Sequence, residues 1–129
     1  MAAGKYSFTI EQGATTNIQV NWTDASGSAI DLNGYHARMQ IRPTVDSSDV
    51  LLSLSSSLTE DGTGILMSGS TGDLPLSSGS IAIYISADSS SLLNFEQAVY
   101  DLEMVTGSSV TRLLEGRVQL SKNVTRWVY

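Results

Sequence analysis

The stretch VTRLLEGRVQL (110–120) constrains the fold more than any other feature of this chain. Val110, Arg112, Leu114, Gly116, Val118 and Leu120 take one set of alternate positions. Thr111, Leu113, Glu115, Arg117 and Gln119 take the other. A repeat of two belongs to a strand, whose successive side chains point to opposite faces, whereas a helix repeats at about 3.6 residues. One oily face and one wet face follow. The same alternation runs through Tyr6, Phe8 and Ile10, then Ile18, Val20 and Trp22, then Tyr35, Ala37, Met39 and Ile41. It returns at Val50, Leu52 and Leu54, at Ile65 and Met67, at Ile81, Ile83 and Ile85, and at Ala98, Tyr100, Leu102 and Met104. Strands buried on both faces of a parallel sheet would show continuous apolar runs instead. The expected fold is therefore all-β, an antiparallel immunoglobulin-like β-sandwich of about eight strands. A small barrel is the competing architecture.

Turn chemistry sits where such strands need to end. Asn33-Gly34 is the strongest local turn signal, Asp24 opens a turn by bonding its own backbone, and Pro43 stops the ladder of the strand before it. Gly107-Ser108-Ser109 joins the last two strands into a hairpin. Residues 87–95 (ADSSSLLNF) break the period of two. They predict at most one short helical turn, capped by Asp88, that tucks Leu92, Leu93 or Phe95 onto the core. Gly116 interrupts a row of large inward residues, as at a bulge or a close backbone approach.

A chain of 129 residues suits one domain and buries roughly two thirds of its unfolded surface without help from metal or disulfide. Residues 1–126 are expected to form a single β-sandwich and 127–129 an aromatic tail. There is no cysteine, hence no disulfide staple and no thiolate metal site. The net charge of −6, with seven basic residues among thirteen acids, argues against a nucleic-acid partner, which needs clustered cations to release counterions from phosphate. It argues equally against an anionic membrane. No apolar run approaches a signal-peptide core or the roughly 18 residues of a membrane span. Asn21-Trp22-Thr23 and Asn123-Val124-Thr125 match the glycosylation pattern by chance on this reading.

No reaction centre emerges from the residue types. His36 is the sole histidine, so a histidine-based triad or metal cluster has nothing else to build on. It lies with the polar set of its strand and is expected at the surface. Asp46, Asp49, Glu60, Asp61 and Asp24 do not match a calcium loop, and serve turns and solubility instead. Asp101 and Glu103 share one strand face, which is expected to be the wet side of a sheet rather than a glycosidase pair. GTG (62–64) and GSTG (69–72) lack the Gly-Lys-Ser ending of a phosphate loop. Trp22 is in phase with Ile18 and Val20, so it packs in the core rather than serving as a sugar platform. The expectation is a non-enzyme without cofactor, metal or small-molecule substrate. What remains is the rim of the sheets and the chain's end, where Arg126, Trp127 and Tyr129 follow the last alternating run. Those three residues either cap their own sandwich or anchor on a neighbour, since large aromatics give contact area at little rotamer cost.

Four stretches together carry a family resemblance: FTIEQGAT (8–15), IDLNGYHARMQIR (30–42), VYDLEMV (99–105) and VTRLLEGRVQLSKNVTR (110–126). They resemble a β-sandwich domain of tailed-bacteriophage virion proteins, similar to the N-terminal domain of the phage upper-baseplate protein family and of related tail and fibre proteins. The resemblance spans residues 6 to 126 and is structural rather than catalytic. It implies a non-enzymatic virion component, assembled in the host cytoplasm, that forms a homo-oligomer and contacts other virion structural proteins. A tail, baseplate or fibre-attachment position is the first expectation and a head-decoration (cement) position the alternative. A receptor- or carbohydrate-binding module is the alternative of another class. On this fold Arg38 and Arg42 are expected on the wet face, facing Glu103 or Glu115.

Overall fold

The structure is a computed structural model that describes residues 3–125. Among the described residues nine strands are arranged in two sheets, so the chain is an all-β sandwich with one strand more than the alternation alone suggests. The strands are β1 (Gly4–Lys5), β2 (Phe8–Glu11), β3 (Thr16–Asn21), β4 (His36–Arg42) and β5 (Leu52–Ser55). They continue as β6 (Gly64–Leu66), β7 (Ser80–Ile85), β8 (Gln97–Thr106) and β9 (Ser109–Ser121). The larger sheet has the order β1-β9-β8-β4-β5, with β2 also paired to β9; the smaller has the order β3-β7-β6. The chain crosses between sheets at residues 12–15, 22–35, 56–63 and 86–96.

The core lies between the sheets. Ile10, Met39, Ile41, Leu54, Leu102, Met104 and Val118 face Ile65, Ile81, Ile83 and Ile85. Leu32, from the β3–β4 crossing, is fully buried with them. The Asn33-Gly34 turn forms as expected: Tyr35 N donates to Leu32 O at 3.0 Å, and Gly34 adopts φ 82°, a conformation that disfavours any side chain.

Four local expectations change. First, β1 and β2 pair with β9 in parallel, while every other strand pair is antiparallel. Parallel neighbours need a long connection, and here the whole intervening domain supplies it. Second, the alternation of β9 is broken. The β8–β9 register shifts between Leu102↔Leu114 and Glu103↔Arg112, which leaves Leu113 as an extra residue, a β-bulge. Leu113 and Leu114 both pack against the core, and Arg112 swings to the wet face beside Glu103. Unbroken alternation had placed Arg112 on the oily side; the bulge removes that conflict.

Third, β7 is buried on both faces. Ala82 and Ser80, which alternate with the core isoleucines, are covered by the segment before the strand. Ser70 donates through N and Oγ to Gln19 Oε1 at 2.9 and 2.7 Å, and Asn17 Nδ2 donates to Ser70 O, so this segment is fastened over the outside of β3 and β7. Fourth, the turn after β7 is a short helix, α1 (Ala87–Ser91), capped by Ser86 rather than Asp88. Ser86 Oγ accepts from Ser89 N at 3.0 Å, which satisfies one of the amides a helix start leaves open. Leu93 and Phe95 pack on the core, while Leu92 points out and is 85 % exposed. A single 3₁₀ turn, Leu76–Ser78, precedes β7.

Gly116 is a point of close approach, as its place in the row predicted. A Cβ there would lie 2.1 Å from Tyr6 O. That carbonyl instead accepts a hydrogen bond from Tyr100 Oη at 2.6 Å, and Tyr100 stands directly across the ladder from Gly116. Phe8 meets the Tyr100 ring edge-on at 5.1 Å. The absent side chain thus leaves room for the edge strand to be clamped to β9.

Candidate functional site

The outer face of the larger sheet holds five of the chain's seven basic residues. Strand register places its outward residues in rows. Arg38, Glu103 and Arg112 form one row, Gln40, Asp101, Glu115 and Lys5 the next, and Arg42, Val99 and Arg117 the third. Opposite charges meet along and between rows. Arg38 Nε lies 2.7 Å from Glu103 Oε1, as the sequence suggested, and Arg112 reaches both Asp101 and Glu115 at 3.4 Å. Lys5 pairs with Glu115. Lys5, then Arg112, holds the Glu115 carboxyl below the ordinary carboxylate range. Asp101 is pushed the other way, by partial burial first and then by the Glu103 charge, with Arg112 opposing. Exposed ion pairs of this kind contribute little stability individually.

The third row differs. Arg42 donates to Ser47 O and Gln40 Oε1, both at 2.7 Å, and forms no ion pair among the described residues. Arg117 likewise has no carboxylate within ion-pair distance among the described residues. Val99 and the 82 % exposed Val45 line the same shallow groove.

The residues singled out for conventional chemistry are dispersed. His36 is exposed at the first position of β4, opposite Val105. Asp101 and Glu103 are both engaged by arginines. Among the described residues no group of three metal-ligating side chains converges. Trp22 is half-buried and meets Tyr35 edge-to-face at 5.3 Å.

Asp61 has a structural task that its DGTG context hardly signals. Its Oδ2 accepts from Ser86 Oγ and Ser89 Oγ, at 2.5 and 2.7 Å. Its Oδ1 accepts from Thr59 Oγ1 and Thr63 N, at 2.5 and 3.0 Å. Those bonds, Ser86 first, hold the carboxyl far below the ordinary carboxylate value. Thr63 Oγ1 also accepts from Ser86 N. This knot ties the β5–β6 crossing to the start of α1. Ser90, fully buried, ties the other side of α1 to the β2–β3 crossing: its Oγ donates to Ala14 O and accepts from Gly13 N. Only the serine run of α1 hinted at either contact.

Arg126, Trp127 and Tyr129, the proposed anchors, lie outside the described residues, as does the 127–129 tail as a whole. The chain heads towards them from beside the β2–β3 crossing, where Asn123 N donates to Gln12 Oε1 at 3.2 Å. Gln12 Nε2 in turn donates to Leu93 O at 2.8 Å. Val124, just before the end of the described chain, is 90 % exposed.

No protein-family model matches the chain, and no curated protein matches it.

Proposed function

We propose that this chain is a non-enzymatic structural component of a tailed-phage virion, an assembly module of the tail, baseplate or fibre-attachment region. One observation carries the reading: the four stretches that bear the resemblance build contiguous parts of one sheet. FTIEQGAT forms β2 and its crossing, IDLNGYHARMQIR the turn and β4, VYDLEMV lies within β8, and VTRLLEGRVQLS forms β9. In the order β2-β9-β8-β4 these strands are neighbours. The motifs therefore specify a continuous four-stranded wall with a polar outer face rather than a cleft. A wall repeated by symmetry is a part for building, since many modest contacts add when copies are arrayed. The partners on this reading are further copies of the chain and other virion structural proteins, and the place of action is the virion, assembled in the host cytoplasm.

A head-decoration role uses the same wall, so position on the particle is what the test must resolve. Antibody labelling of tailed particles, purified from lysates of cells that produce the chain, is the direct experiment. The expected result is label at regular, repeated positions at the tail end. Label spread over the head would move the assignment to decoration. Particles devoid of the chain would overturn the virion reading.

A further inference from the structure

The charges of this molecule are sorted by side. Five of the seven basic residues, Lys5, Arg38, Arg42, Arg112 and Arg117, lie on the outer face of the larger sheet. Four of the thirteen acids, Glu11, Asp101, Glu103 and Glu115, share that face. The face carries 5 − 4 = +1, and the rest of the chain 2 − 9 = −7. Residues 6–37 and 43–111 contain no lysine or arginine at all. Every strand of the smaller sheet, and the segment fastened over it, falls inside those two runs. Glu60 and Asp88 are exposed near the Asp61 knot, in the crossings that lead into and out of the smaller sheet, and Asp73 is exposed on the covering segment. Asp46 and Asp49, by contrast, belong to the loop that flanks the positive face.

We infer that the outer face of the larger sheet docks the lysine- and arginine-free side of a second copy, head to tail. Charge complementarity selects that occupant. The face carries two arginines without carboxylate partners among the described residues, Arg42 and Arg117, two strands and so about 10 Å apart. Between them Val99 gives a small apolar contact. Their guanidiniums take carboxylates in the fork geometry that arginine favours, and three of the molecule's own exposed carboxylates, Glu60, Asp73 and Asp88, belong to segments outside the larger sheet. Two positive faces repel, so a symmetric face-to-face pair is disfavoured. The contact is heterologous, and it propagates into a ring or a stack. Opposed net charges also steer the encounter and choose the partner more than they add affinity.

The inference is independent of the virion reading, because purified chain alone tests it. Sedimentation velocity up to about 1 mM protein, where weak contacts populate, should show association at low salt. The association should weaken about tenfold or more between roughly 0.05 and 0.5 M salt as exposed charges are screened. Two variants separate the halves of the contact. R42E/R117E spoils the positive face; E60Q/D73N/D88N neutralises the opposite side. All five positions are polar surface sites, and circular dichroism checks that each variant is folded. Each variant alone should stay monomeric, and an equimolar mixture should form a one-to-one dimer, because each supplies the half the other lacks. A wild-type chain that remains monomeric throughout overturns the inference and returns the positive face to some other acidic partner. So does either variant associating like wild type, or a mixture that stays monomeric.

Discussion

Gly116 shows how much one missing side chain decides. Tyr6 O occupies the space its Cβ would need, and Tyr100 Oη holds that carbonyl in place. Gly116→Ala is expected to push the Tyr6 backbone off β9 at a cost of about 1–3 kcal/mol, the usual range for overpacking. Tyr100→Phe keeps the ring and removes the bond, for about 1 kcal/mol. Urea denaturation measures both, and amide exchange over residues 4–11 should accelerate in each. Wild-type stability in the alanine variant would mean that this edge moves aside freely. Asp61 offers a second prediction at this scale, through pH. Its folded-state carboxyl is held below the ordinary value of 3.8. A depressed carboxylate contributes stability above its unfolded pKa and loses it as pH falls towards the folded one. The melting-temperature advantage of wild type over Asp61→Asn should therefore be full above about pH 5 and shrink steadily below pH 4. An advantage that is flat from pH 5 to pH 2 would show that the four hydrogen bonds do not depend on the charge.

At the scale of elements, the sequence spoke clearly about faces and poorly about direction. Alternation placed Ile81, Ile83 and Ile85, or Ala37, Met39 and Ile41, inward without error, because the pleat repeats strictly every two residues. The same repeat is identical for parallel and antiparallel neighbours, so the parallel seat of β1 and β2 on β9 was not legible. Nor was the bulge, although two adjacent leucines and an inward arginine in one strand were its traces. Arg38 was legible as a partner of Glu103. The sorted charges became visible only when register showed which arginines share a face. The edge strand also yields a prediction. Phe8 and Ile10 are buried in the core, and burying such a side chain is worth about 1.5–3 kcal/mol. A chain lacking residues 1–11 loses both and bares the edge of β9. That loss rivals the 5–15 kcal/mol typical of a whole domain, so the shortened chain should be largely unfolded or aggregated by circular dichroism and light scattering. A chain lacking only residues 1–5 should stay folded, because β1 is two exposed residues.

For the whole molecule, the open question is how a rigid box with a charged wall is held in a larger array. Charge alone gives contacts that are selective and salt-sensitive; an aromatic anchor gives a contact that persists in salt. Trp127 and Tyr129 supply such an anchor on the proposed reading, at the opposite extreme of the sandwich's chemistry from the Arg42–Arg117 row. A chain ending at Thr125 separates the two modes. If the aromatics seat on a neighbour, this chain should melt within a degree or two of wild type, since surface changes usually alter stability by less than about 0.5 kcal/mol. It should also keep any salt-sensitive head-to-tail association and yet fail to enter particles. If the aromatics cap their own core, losing them should instead cost several degrees, as two large apolar side chains together bury about 3–6 kcal/mol of contact. Paired melting and particle-incorporation measurements decide between these outcomes. Normal incorporation at unchanged stability would leave the charged wall as the attachment surface and retire the tail as an anchor.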